Sequence, residues 1–334
     1  MPRDTAAPAL PVQVPLVTEP WGILKSLEVA RRNLLELIPE VALRQPIVSG
    51  RTGVRWHMVM DPEANRRILK DRVEDYPKSE VTKNILKPAI GESLFIAEGA
   101  HWHWQRRAAA PVFSLRNIQN LGPIMTAAAE RSAARVDAAV GRAANLFDEM
   151  VTATFEVISD VTLSGGEAFD RAAVHRAIDN YISQTAKVSL LDILGAPVWV
   201  PRPLRLMSSA AMREMKRTAD TAIEGRRTRG AAGVPDLLDL LLEGEDPKTG
   251  RRMTTQELRD NLLTFIVAGH ETTALTLAWS LYLLAFDPAQ QDRARTEAQR
   301  VLQGRTATAA DVERLPFIRQ VIDEALRLYP PAAM

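Results

Sequence analysis

Apolar residues recur at three- and four-residue intervals over most of the chain, a period that predicts a succession of helices. The first such stretch runs from Trp21 to Arg44, where Leu24, Leu27, Leu34, Leu35 and Ile38 keep helical spacing. A short strand-like section follows. Pro46–Val48, a Ser49-Gly50-Arg51-Thr52-Gly53 turn and Val54–Met60 predict a hairpin. Asp61-Pro62 then predicts a helix start, with Asp as N-cap and Pro at the first helical position, and the same signal returns at Asp287-Pro288. Further helices are predicted near 61–71, 100–110, 117–140, 147–163, 168–190, 204–229, 235–243, 255–286, 288–303 and 315–328. Pro111, Gly165-Gly166, the Pro197/Pro201/Pro203 cluster, Gly230–Pro235 and the Asp246–Gly250 turn punctuate them. Pro2, Pro8, Pro11, Pro15 and Pro20 mark residues 1–20 as a flexible N-terminal arm, which leaves 21–334 as one domain without internal repeats. The fold class expected is mainly α with a small β element.

Composition narrows the chemistry. The 334 residues carry 42 Lys+Arg against 41 Asp+Glu, a net charge of +1 that gives no field for nucleic acid or an anionic membrane. The hydrophobic fraction of 46% suffices for a large core. Zero cysteines exclude disulfides, thiol nucleophiles and thiolate-held metals within these residues. The apolar stretch Asn261–Phe286 carries Glu271 at its middle, so a buried core helix is expected rather than a membrane span, and with it a cytoplasmic protein.

Three helical motifs carry candidate chemistry. The first is Ala268-Gly269-His270-Glu271-Thr272-Thr273, on a helix opened by the capping box Thr254-Thr255-Gln256-Glu257. A mid-helix glycine marks close approach by something flat or bulky. An acid beside a hydroxyl in an apolar helix suits proton relay into a dry cavity. Helix packing at the small residues, with Glu271 in solvent, accounts for the same residues. A zinc-hydrolase pattern fails because position 274 is Ala274 rather than histidine. The second motif is Trp102-His103-Trp104-Gln105-Arg106-Arg107. Trp102 and Arg106, four apart, share a helix face on which an indole N–H and a guanidinium can grip a carboxylate; a core tryptophan over a solvated arginine is the alternative. His101 and His103 diverge on a helix, so no metal site is expected there. The third is Glu324-Ala325-Leu326-Arg327, a pair within one turn whose apolar neighbours Leu326, Leu328 and Tyr329 predict at least partial burial.

In this order and spacing the three motifs resemble those of the cytochrome P450 family, of the soluble bacterial kind, over residues 20–331. The resemblance implies a haem-thiolate monooxygenase that inserts one oxygen atom of O2 into a small apolar substrate. It implies haem b as cofactor, no metal ligand from these residues, and a ferredoxin or flavin reductase as electron donor to a protein monomeric when complete. By resemblance Glu271 and Thr272 deliver protons, while Ala268 and Gly269 leave room above the haem. Trp102 and Arg106 bind a propionate, and Glu324 with Arg327 forms the structural ion pair. Segments near 78–97 and 181–205 would line the substrate pocket. Arg106 and Arg107 lie on the helix that the family presents to its electron donor, so an acidic ferredoxin or flavin protein is the expected partner.

The chain also departs from the family pattern. Members continue past the Pro-Pro that follows this ion pair, into a β region and a loop whose cysteine ligates iron. Here the sequence ends at Pro330-Pro331-Ala332-Ala333-Met334. None of His57, His101, His103, His175 and His270 matches that ligand loop. An incomplete P450 fold is therefore expected, C-terminally truncated before the haem-ligating loop. The alternative is a non-catalytic helical remnant, at most a binder of hydrophobic ligands. As written, the chain is expected to aggregate or stay partly unfolded, and with carbon monoxide to lack the red-shifted Soret band of a thiolate-ligated haem.

Overall fold

The computed structural model describes residues 11–52, 54–162, 209–230 and 235–332. In chain order its regular elements are helix α1 (Ile23–Arg32), strands β1 (Ile47–Thr52) and β2 (Val54–Val59), then α2 (Pro62–Arg66), α3 (Glu80–Ile90), α4 (Gly99–Ala109), α5 (Leu115–Asn120), α6 (Gly122–Ala138) and α7 (Leu146–Thr162). There follow α8 (Ser209–Arg229), α9 (Leu237–Glu243), α10 (Thr255–Phe286), α11 (Pro288–Leu302) and α12 (Pro316–Leu328). The mainly helical class with a small β element is thus what forms. The helix expected at 168–190, the start of the one expected at 204–229, and the pocket segment 181–205 lie outside the described residues.

The chain divides into two compact units. The first comprises Gln13–Trp104 and Ala172–Arg217. Its hairpin is antiparallel, with register from Ile47↔Val59 to Thr52↔Val54, so Ser49, Gly50, Arg51 and Thr52, expected in a turn, extend the strand instead. Gly50 explains the misreading: it faces Trp56 across the ladder, and any side chain there would run into the indole ring. Asp61 caps α2 as expected, accepting from the Ala64 N–H at 2.7 Å, and a π-helical turn at Arg67–Asp71 completes the predicted element. Residues 11–20 take no helix or strand, yet Val17 is tied in by hydrogen bonds from its N–H to Ile38 and to its C=O from Glu40. Helix α3 was not foreseen, because Pro88 in its last turn masks the helical period.

The second unit comprises Met1–Val12, Gln105–Arg171 and Thr218–Met334. Its centre is α10, packed along α7 and flanked by α12, with α6 covering α7. Leu258, Leu262, Leu263, Ile266 and Ala274 of α10 are at most 1% exposed, which makes this helix the core rather than a surface element. The capping box forms as the sequence predicts, Thr254 and Glu257 exchanging side-chain-to-backbone hydrogen bonds. One turn on, the buried Asn261 amide donates to Gln105 Oε1 at 2.7 Å and to the Glu257 carbonyl at 2.8 Å. The helix expected at 117–140 breaks at Leu121 into α5 and α6, with Pro123 in the first turn of the second.

Candidate functional site

On α10 the motif residues separate by side. Ala268, Thr272 and Thr273 are exposed, Gly269 and Glu271 are half-buried, and His270 is buried. Thr272 Oγ1 donates to the Ala268 carbonyl at 2.7 Å, Thr276 Oγ1 to the Thr272 carbonyl at 2.9 Å, and Ser280 Oγ to the Thr276 carbonyl at 2.7 Å. Each hydroxyl therefore spends its proton backwards along the helix and presents lone pairs outward. Glu271 forms no hydrogen bond or ion pair among the described residues. An acid and a hydroxyl thus occupy adjacent helix positions, the acid half-buried and the hydroxyl exposed, with the exposed methyl of Ala268 one turn below.

Gly269 does not share that exposed face. A Cβ added there would lie 3.2 Å from Ile158 Cδ1 of α7, so its small size serves helix packing. Ala268 and Gly269 occupy adjacent helix positions about 100° apart, Ala268 exposed and Gly269 half-buried. His270 points the same way. Its Nδ1–H donates to the Ile266 carbonyl at 2.9 Å, and its ring meets Phe155 edge-on at 5.7 Å.

Trp102 and Arg106 lie on α4, one turn apart, the tryptophan half-buried and the arginine exposed. Arg106 makes no ion pair among the described residues, which leaves its guanidinium free to take an anionic group. Arg107 is otherwise. Its Nε and Nη2 donate to the two carboxylate oxygens of fully buried Asp246 at 2.6 and 2.8 Å. Thr249 Oγ1 at 2.8 Å and the Lys248 N–H at 3.2 Å complete the carboxylate's partners. Arg107 thus locks the Asp246–Gly250 turn onto the end of α4.

Arg107 holds the Asp246 carboxyl far below the usual carboxylate range, and Thr249 and the Lys248 N–H add to the shift. A depressed native pKa contributes stability above the unfolded value of about 3.9 and loses it as pH falls. The melting temperature should accordingly drop as pH is lowered from about 4 to about 2. Asp246→Asn should flatten that part of the profile while lowering stability at neutral pH, which thermal unfolding at each pH reads directly. An unchanged acid slope would remove Asp246 from the account.

Two features were not legible in the motifs. Lys78 Nζ donates to the carbonyls of Leu94, Phe95 and Ala97 at 3.2, 2.7 and 2.9 Å, and burial pushes its pKa down. Its own N–H bonds to Glu98, which also pairs with Lys83. The loop leading into α4 is thus tied from one ammonium, a role that a lone lysine in sequence does not announce. Lys78→Met should raise amide exchange at residues 94–98 by about tenfold or more, since three charge-assisted bonds are lost. Unchanged exchange there would show that the loop holds itself. The second feature is Thr154, a buried hydroxyl of α7 directed at α10.

The Glu324–Arg327 pair forms, bidentate with both contacts at 2.7 Å, but its side chains are 51% and 66% exposed. Burial was expected from neighbouring leucines, yet Leu326 and Leu328 are themselves exposed. The helix turns Ile318, Val321, Ile322 and Ala325 inward, and the pair falls outside that stripe. At its C-terminal end Tyr329 stacks on Trp279 at 4.2 Å and donates to the Val12 carbonyl at 2.7 Å, while Tyr282 accepts from the Val12 N–H at 3.0 Å.

The two histidines of α4 do not converge. His101 Nδ1 accepts from Trp104 Nε1 at 3.1 Å, whereas His103 Nε2 lies 3.4 Å from Glu74. Among the described residues no group of His, Asp and Glu side chains gathers that could hold a metal ion, and no helix is long and apolar enough to cross a membrane.

Comparison with known proteins draws these features together. The chain is 30% identical over 308 residues to cyclooctat-9-en-7-ol 5-monooxygenase of Streptomyces melanosporofaciens, covering 91% of this chain and 65% of that protein. It is 29% identical over 268 residues to a cytokinin hydroxylase of Arabidopsis thaliana, covering 77% of this chain and 51% of the relative. The crystal structure of the cytochrome P450DA heme domain superposes with a TM-score of 0.70 at 25% identity, over 91% of this chain and 65% of that one. The chain thus spans about two thirds or less of the length of these proteins. A family model described as Cytochrome P450 matches residues 22–334, and the chain belongs to that family.

Proposed function

We propose that this chain supplies the oxygen-side helix and the propionate grip of a haem-thiolate monooxygenase acting on a small apolar organic substrate. The observation that carries the reading is the exposed Ala268–Thr272 stripe, with Glu271 beside it and unengaged among the described residues. A flat macrocycle suits a stripe of small side chains such as Ala268 and Thr272, and an Arg106 without an ion pair among the described residues suits a propionate. These residues fit haem b on that side. The axial thiolate is not among these 334 residues, which contain no cysteine, so the activity proposed is that of a polypeptide that adds one.

Haem with a thiolate ligand supplies binding and two-electron reduction of O2. The balance is substrate C–H, O2, two electrons and two protons giving C–OH and water. Trp102 and Arg106 would fix the propionate through an indole N–H and a guanidinium. Glu271 would gather protons and pass them to the Thr272 oxygen, whose lone pairs already point away from the helix. The two electrons would come from an acidic ferredoxin or flavin protein, approached by the helix that carries Arg106. That one relative is named a cyclooctat-9-en-7-ol 5-monooxygenase supports a largely apolar substrate class.

The experiment is to read the source DNA through the Met334 codon and express the longest open frame. The expected outcome is an in-frame cysteine and, after reduction under carbon monoxide, a red-shifted Soret band. A stop codon at that point would overturn the monooxygenase reading and favour a helical protein that binds hydrophobic ligands without oxygen chemistry.

A further inference from the structure

We infer that Thr154 is a positioning residue for the Glu271–Thr272 pair, acting through the carbonyl of His270; the inference rests on the relay reading of that pair. Thr154 sits on α7 and is 6% exposed. Its Oγ1 lies 2.9 Å from the His270 carbonyl and 2.8 Å from the Met150 carbonyl of its own helix. The hydroxyl has a single proton, shared among these two carbonyls and that of Val151 at 3.2 Å, so the contact to α10 is the inter-helix branch of a shared hydrogen bond.

Two neighbours on α7 act on the same point. Phe155 meets the His270 ring edge-on, and Ile158 fills the space beside Gly269 at 3.2 Å from where a Cβ would be. Positions 154, 155 and 158 therefore grip residues 269 and 270, immediately before the acid and the hydroxyl. Packing by Phe155 and Ile158 sets the distance between the helices. It leaves rotation of α10 about its axis less defined, because apolar contacts are non-directional. A hydrogen bond to one named carbonyl is directional and fixes that rotation. A rotation of one residue would exchange Thr272 for its neighbour on the exposed face.

The test uses Thr154→Val, which keeps the shape and removes the donor, and Thr154→Ser, which keeps the donor. Amide hydrogen exchange is read at residues 271–275 and, as an internal control, at 258–264 of the same helix. The expected result is a rise of about fivefold at 271–275 in the valine variant, no change at 258–264, and recovery in the serine variant. No rise, or an equal rise at both stretches, overturns the inference in favour of general packing.

The haem-loaded complete protein gives the second readout, the fraction of reductant electrons recovered as hydroxylated product. Thr154→Val is expected to lower it severalfold with unchanged KM, and Thr154→Ser to restore it. A loss in Glu271→Gln but none in Thr154→Val would overturn the positioning role alone. No loss in either would overturn the relay reading, and this inference with it.

Discussion

Glu271→Gln in the complete haem-loaded protein is expected to cut product formation by about 100-fold or more, the usual contribution of a positioned acid or base. Glutamine keeps the size and polarity of the side chain but removes the exchangeable carboxyl proton. The structure leaves that carboxylate unengaged among the described residues, so its loss breaks no salt bridge and should leave stability within about 0.5 kcal/mol. The hydroxyl partner gives a matched pair of variants. Thr272→Val should behave like Glu271→Gln, while Thr272→Ser, which retains an oxygen one turn above Ala268, should keep most of the activity. The discriminating quantity is the fraction of electrons ending in product rather than in peroxide, measured with oxygen and reductant consumption together. Equal fractions in Glu271→Gln and the parent would remove the carboxylate from proton delivery, whatever the turnover.

The second large effect concerns stability. Gly269→Leu should destabilise the fold by about 1–3 kcal/mol, the usual cost of overpacking, because the new side chain enters the space of Ile158 Cδ1 at 3.2 Å. Leucine is a better helix former than glycine by about 1 kcal/mol, so the measured loss is what remains after that gain. Chemical denaturation of the parent, Gly269→Leu, Ile158→Ala and the double variant closes a cycle. The double variant should recover much of the loss of Gly269→Leu, since the cavity at 158 receives the leucine. Additive losses would show that the glycine answers to something other than Ile158. A glycine kept only to leave room on the exposed face would predict a stability-neutral change, and the cycle separates the two.

Much of the helical framework was legible because helix limits are written locally. Thr254 and Glu257 mark the start of α10, Asp287-Pro288 marks the start of α11, and both form as read. Where a local signal served a distant partner the reading failed. Gly50 was read as a turn residue and instead lies beneath Trp56. The helix Glu80–Ile90 carries Pro88 in its last turn and was not predicted at all. The pair Glu324–Arg327 was expected to be at least partly buried from its apolar neighbours, and its side chains are 51% and 66% exposed because neighbours in sequence point in different directions on a helix.

The candidate site divides in the same way. Residue types and spacings alone identified the family motifs, the acid–hydroxyl pair and the tryptophan–arginine pair, because each is confined to one or two helical turns. Only the tertiary structure decided which of these residues are available. Arg107 is withdrawn by a carboxylate 139 positions away, and His270 is addressed by a hydroxyl 116 positions away. Gly269 has Ile158 of α7 beside it, 3.2 Å from where a Cβ would be. The reason is physical: helical period sets which residues share a stripe, but burial, pairing and rotation of that stripe depend on the helix packed against it.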